Sequence, residues 1–147
     1  MIKTIFAVVL GSSILMATPN SAVTKLSEET RDLFKAEMNF IKMGMDDILY
    51  NMIAGNDEKV GEKAGEIRNS FVFIRSLKPR NVKELKKLPK QFFEYDRELH
   101  GGAAELAIAA EFNDKEEMKK SYFKMVNSCL KCHETFATHR FSSFLEE

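Results

Sequence analysis

The chain has 147 residues, with 22 basic and 22 acidic side chains and no tryptophan. This length fits one domain of ordinary size, and the balanced charge argues against a nucleic-acid binder, which carries a basic excess. Both cysteines fall in one short motif near the C-terminus, so no thiol is left for a structural disulfide elsewhere.

Met1-Ile2-Lys3 carries one positive charge, and an uncharged apolar run extends from Thr4 to Ala17. Thr18-Pro19-Asn20-Ser21-Ala22 closes it. This is the layout of a secretory signal peptide, and the run falls short of the ~20 apolar residues of a membrane span. An uncleaved N-terminal anchor is the other reading. Residues 1–22 are taken as the signal and 23–147 as the mature domain. Removing the signal takes away Lys3 and no acid, so the mature chain stays within one charge of neutrality. No other segment is apolar enough to span a bilayer, so no stable membrane span is expected after signal removal.

Four amphipathic segments follow, each with apolar residues alternating three and four apart, the spacing of one helix face. The first is predicted from Glu28 to Ala54, with Ser27 as N-cap, Glu28 and Glu29 in the first turn, and Gly55-Asn56 as the stop. Its stripe is Phe34, Met38, Ile41, Met45, Ile48 and Met52. The second is predicted from Asp57 to Leu77, with Val60, Ala64, Ile67, Phe71 and Ile74 on its stripe and Lys78-Pro79 ending it. A connector from Lys78 to Lys90 follows, with a short helical turn expected around Val82 to Leu85. The third helix begins after Pro89 and carries Phe92, Tyr95, Leu99, Ala103, Leu106 and Ala110. Gly101-Gly102 weakens its middle by ~1 kcal/mol per glycine and also permits a close approach by another surface.

For the fourth helix, Asn113 is the expected N-cap, with Glu116 completing a capping box. Its stripe is Met118, Tyr122, Met125, Cys129, Cys132 and Phe136. No sustained alternation and no Asn-Gly or Asp-Gly hairpin turn signals a strand. Four helices with short connections predict an all-α fold, an antiparallel up-down-up-down four-helix bundle.

The most informative residues of the chain lie on this last stripe. Cys129-Leu130-Lys131-Cys132-His133 reads C-x-x-C-H, the attachment signature of a c-type haem. Two thiols one helical turn apart can form thioethers with the two vinyl groups of the macrocycle, and His133 can then present its imidazole to the iron as proximal ligand. A dithiol redox pair would be expected in a βαβ context, which is missing here. A closed zinc site would need four ligands, for which only His100 and His139 remain as nitrogen donors. The inward position of both cysteines places one covalent haem c inside the bundle, near one end. Haem is ligated to such motifs outside the bacterial cytoplasmic membrane, so motif and signal together predict a periplasmic protein.

Aligning the first and fourth helices antiparallel, with Glu28 level with Arg140, sets His133 opposite Lys35 and Cys129 opposite Asn39. Met38 is then the thioether best placed to reach the far side of the iron, where a neutral sulfur raises the potential. Methionine is also a common filler of irregular core gaps, and residue type and spacing leave both roles open. Phe71, Ile74, Phe92 and Tyr95 are expected to wall the haem. His100 is expected beside the third stripe as a partly buried hydrogen-bonding histidine, with a second axial ligand as the alternative, and His139 near the chain end is expected to be exposed. The basic connector, with Lys78, Arg80, Lys83, Lys86, Lys87 and Lys90 against Glu84, reads as a solvated linker or as a contact for propionates or an acidic redox partner.

With these residues in place, the mature sequence resembles class II cytochromes c, the cytochrome c′ family. The likeness rests on Cys129-Leu130-Lys131-Cys132-His133 followed by Phe136, and on Leu99-His100, Ala103-Ala104, Leu106, Ala109-Ala110 and Asn113-Asp114 ahead of it. It also rests on a first helix carrying Met38 and ending at Gly55. The resemblance implies a four-helix bundle with haem near one end, often a homodimer through the first two helices. Some members leave the sixth iron position open and bind nitric oxide or carbon monoxide. Others, like this chain, offer a first-helix methionine and are low-spin electron carriers. Many members have an arginine one turn before that ligand position, where this chain has Phe34 with Lys35 beside it. The expected function is therefore single-electron transfer with redox partner proteins, with His133 and Met38 as axial ligands. The alternative is a five-coordinate haem protein that binds nitric oxide or carbon monoxide. No catalytic constellation is visible, and an enzyme is not expected.

Overall fold

The structure, a computed structural model, describes residues 22–70, 82–138 and 140–141. The expected signal segment therefore lies outside the described residues except for Ala22. The expected roles of Phe71, Ile74, Lys78, Arg80 and His139 also lie outside them.

Every described element is helical. A 3₁₀ turn, Ala22–Lys25, leads into α1, Glu28–Ala54; α2 spans Asp57–Arg68, α3 is the four-residue turn Val82–Leu85, α4 spans Lys90–Glu111 and α5 spans Lys115–Phe136. An all-α domain is thus the observed class. Helix α1 has the predicted bounds and cap: Ser27 Oγ accepts from the Thr30 amide at 3.3 Å, and Gly55 stands at φ 73°. The described part of the second helix ends at Arg68, with Asn69 as C-cap, short of the expected Leu77. The short turn at Val82–Leu85 is present as expected.

The cap of the last helix differs from expectation by one residue. Asp114, not Asn113, accepts from the Glu117 amide at 3.0 Å. The reason lies in the preceding helix end. Asn113 takes a left-handed conformation at φ 55°, which asparagine tolerates better than most side chains. The Asn113 amide then reaches Ala110 O at 3.1 Å and the Asp114 amide reaches Ala109 O at 2.9 Å. This pair of bonds closes α4 with a Schellman motif. Gly55-Asn56 does the same for α1, with the Asn56 amide on Asn51 O at 2.9 Å. Asn56 Oδ1 then accepts from the Lys59 amide at 3.2 Å to start α2. Lys115 and Asp57 form an ion pair that ties the two turns together.

Helix α1 packs against α2, α2 against α4, and α4 against α5. Two glycines set how closely they pack. A Cβ at Gly44 would stand 2.9 Å from Ile67 Cδ1, and one at Gly102 would stand 2.8 Å from Met125 Cγ. The close approach expected at Gly101-Gly102 is therefore made by Gly102 onto α5, while Gly101 faces open space. All six residues of the predicted α1 stripe pack on the two apolar clusters described below, and Gly44 lets Ile67 approach the helix closely. Its fully buried line is Thr30, Glu37, Ile41, Gly44 and Ile48. Met38, Met45 and Met52 lie on the half-buried border of that line.

Two apolar clusters fill the interior. The larger is aliphatic and includes Ile48, Val60, Ile67, Leu106, Met118 and Met125. The second gathers Leu26, Leu88, Phe92 and Phe136, with Phe34, Phe93 and Tyr95 packed on it. Its rings meet edge-on or tilted, with Phe34–Phe92 at 5.3 Å and Phe92–Phe136 at 5.7 Å, the arrangements that aromatic quadrupoles favour. Glu84 secures this end of the molecule by accepting from the Ser27 amide at 2.7 Å while pairing with Lys87.

Candidate cofactor site

The C-x-x-C-H segment occupies the last two turns of α5. Its residues do not point into one uniform core. Cys129 packs against the aliphatic cluster, to which Met38 and Met45 of α1 also pack. Cys132 packs against the aromatic cluster together with Phe34 and Tyr95. The motif therefore straddles the boundary between the two clusters. Cys129, Cys132, His133 and Met38 are each half-buried, so sulfur and ring surface stay partly open here.

One hydrogen bond crosses from α5 to α1: Tyr122 donates its hydroxyl to the Met45 carbonyl at 3.5 Å. The alignment predicted from sequence pairs Met45 with the neighbouring residue, Phe123. Of the expected wall, Phe92 is buried and Tyr95 half-buried, both in the cluster that receives Cys132. Ser128 holds α4 beside the motif by donating to the Tyr95 carbonyl at 2.6 Å. Lys35 stays exposed and pairs with Asp32 at 2.8 Å, while Phe34 joins the aromatic cluster.

The acid–base state of the site matters for its chemistry. Burial pushes the Cys129 thiol up, and burial, with Cys129 and Asp96 adding to it, pushes the Cys132 thiol up to about 12. Dithiol exchange needs the thiolate, so this pair is poorly suited to redox exchange. Burial, aided by the Arg140 charge, lowers the pKa of His133. The imidazole is accordingly neutral at pH 7, the form that ligates a metal. Phe141 lies nearly parallel to it, with ring centroids 4.7 Å apart and planes 21° apart.

A flat apolar macrocycle fits this donor set. Two protonated thiols sit one turn apart, a neutral imidazole follows immediately, and the soft thioether of Met38 packs on the same aliphatic cluster as Cys129. A closed metal cage does not fit: among the described residues no three His, Cys, Asp or Glu side chains converge as a metal site. Concavity alone would not have located this region. Two shallow grooves of about 310 and 460 Å³ lie on the outer face of α4 and α5, around Phe112 and Phe123 respectively.

His100 is not brought to the motif as a second ligand. It is buried, its Nδ1–H donates to the Ile67 carbonyl at 2.9 Å, and its Nε2 faces Asp96 Oδ1 at 3.5 Å. It is the hydrogen-bonding histidine expected from sequence, buried more deeply than expected.

Two residues of this region have no counterpart in the sequence reading. Glu37 is buried beside Met38, and its only sequence signal is a place seven residues after Thr30 and four before Ile41 on the buried line. Phe141 lies beyond the end of α5, where helical periodicity no longer carries information.

Comparison with known proteins finds no matching family model, no matching curated protein and no matching solved structure.

Proposed function

We propose that this chain is a periplasmic c-type cytochrome of the class II kind, an electron carrier rather than an enzyme. In this reading Cys129 and Cys132 hold one haem c by thioethers, His133 is the proximal ligand and Met38 the distal one. The observation that carries the proposal is the complete Cys129-x-x-Cys132-His133 motif on α5, whose half-buried Cys129 packs on the same aliphatic cluster as the half-buried Met38 of α1. The bound haem supplies a one-electron iron couple; the chain's own residues orient the iron ligands and keep water from them. An antiparallel up-down-up-down bundle is supported by the cross-helix pairs. Glu98 and Glu105 on α4 meet Lys131 and Lys124 on α5 at 3.5 and 2.6 Å, and Asp57 on α2 meets Lys115.

Partners would be redox proteins and a second copy of the chain. Phe40, Met43, Tyr50 and Ile53 are exposed along α1, which supports a homodimer through that helix. Among the described residues no helix is long and apolar enough to cross a membrane.

Optical spectra of the purified ferric and ferrous protein, with and without carbon monoxide, test the reading on wild type and Met38→Ala. A low-spin wild type that turns high-spin and gains carbon monoxide binding in the variant is the expected result. A high-spin wild type unaffected by Met38→Ala would replace the electron carrier by a five-coordinate gas binder. Haem lost to acid-acetone extraction would overturn covalent attachment and both readings with it.

A further inference from the structure

We propose that Phe141 fixes the plane of the His133 imidazole, as a positioning residue of the haem site; this rests on the haem reading above. The geometry begins where α5 ends. The Ala137 amide caps the helix on the His133 carbonyl at 3.0 Å. The amides of Arg140 and Phe141 then both return to the Ala137 carbonyl, at 2.9 and 3.2 Å. Thr138, inside this turn, is buried. The backbone thus doubles back and lays the Phe141 ring over His133 at a centroid distance of 4.7 Å and an interplanar angle of 21°. Phe136, which also follows the motif, faces Phe92 and Tyr95 instead.

A histidine donates to a metal in the plane of its ring, through a nitrogen lone pair. A ring stacked on its face therefore occupies none of the coordinating directions. It does restrict rotation about Cβ–Cγ, and it keeps water from that face. Orientation of a ligating imidazole is ordinarily supplied by a hydrogen bond from its second nitrogen. Here a stacked side chain takes a share of that task. Phe141 is itself 39% exposed, so core burial alone does not account for where its ring lies.

Paramagnetic proton NMR of the ferric haem-loaded protein reads the imidazole plane through the order and spread of the haem methyl signals. A change in global stability alone would not reorder them. Phe141→Ala and the milder Phe141→Leu are expected to change the pattern, and Phe141→Trp to restore it. An unchanged pattern in both truncations, with haem attached, would overturn the proposal. So would a pattern that Trp leaves as disturbed as Ala does, since the ring would then be packing only. Wild-type protein without covalent haem would instead sink the parent reading, an outcome visible before any variant is made.

Discussion

At the end of the molecule closed by Gly55-Asn56 and Asn113-Asp114, every joint is satisfied locally. Each helix stops on a left-handed residue, the next starts on an Asx cap, and the aliphatic core beneath leaves Ile48, Val60, Ile67 and Leu106 with 0% exposure. At the other end the interior is made of rings and sulfur, and Met38, Cys129, Cys132 and His133 are left half-open. Buried apolar surface is worth roughly 25 cal/mol per Å². Leu26, Phe92 and Phe136 realise that gain at the second end as well, while the half-buried thiols, thioether and imidazole retain apolar surface still open. The contrast teaches that the fully closed core and the half-buried residues proposed to hold haem occupy different parts of one helical array.

The sharpest way to break this comparison is to mutate each part and read both properties. Cys129→Ala with Cys132→Ala should abolish covalent haem completely, read by haem staining of a denaturing gel. Ile67→Ala should leave the haem attached and cost about 2–5 kcal/mol in denaturant unfolding, the usual range for emptying a closed aliphatic core. Loss of haem from folded Ile67→Ala protein would show that the two regions are not separable.

Two adjacent glycines sharpen the contrast on a smaller scale. Gly102→Ala places a Cβ 2.8 Å from Met125 Cγ, and Met125 is itself fully buried. Overpacking of this kind costs about 1–3 kcal/mol, which exceeds the gain of up to ~1 kcal/mol in helix propensity. Gly101→Ala meets nothing within 4 Å and should stabilise by about 0.5–1 kcal/mol. Opposite signs at neighbouring positions, read from unfolding midpoints, are the expected outcome. Equal signs would mean that α4 and α5 do not approach each other as described.

The sequence revealed most where a local rule acts alone. The bounds of α1, its Ser27 cap, its Gly55 stop and the short turn at Val82–Leu85 all follow from capping chemistry and proline placement. The Asn113 cap was misjudged because asparagine serves two devices, and here the left-handed helix stop took precedence over the cap. The α1 stripe was legible, since all six of its residues pack on the two clusters; Gly44 was not, since a glycine contributes nothing to a hydrophobic stripe, yet its missing side chain leaves room for Ile67. Cys129, Cys132 and His133 were legible as a motif. Their position astride two clusters was not, since it depends on which helices supply Phe34, Phe92 and Tyr95. Glu37 was hidden for the same reason: a buried acid on an apolar line is explained only by groups from other helices.

The smallest expected effect concerns His100, which links the two regions through α4. Its Nδ1–H is committed to the Ile67 carbonyl, so in the neutral ring the Nε2 lone pair faces the Asp96 carboxylate. Burial draws the pKa of His100 down, but Asp96 on its own helix, the Ile67 carbonyl on α2 and Glu37 on α1 outweigh that and raise it above the ordinary 6.5. A histidine whose folded-state pKa is raised stabilises the fold fully below the unfolded value and loses that contribution as pH rises through the folded value. His100→Gln keeps a side-chain donor for Ile67 but not the titrating charge. It should therefore lower the denaturation midpoint more at pH well below 6.5 than well above it. Asp96 is 34% exposed, so solvent screening keeps the difference modest. Equal losses at both pH values would mean that His100 acts only as a hydrogen-bond donor, and that no charge is held between the closed core and the open site.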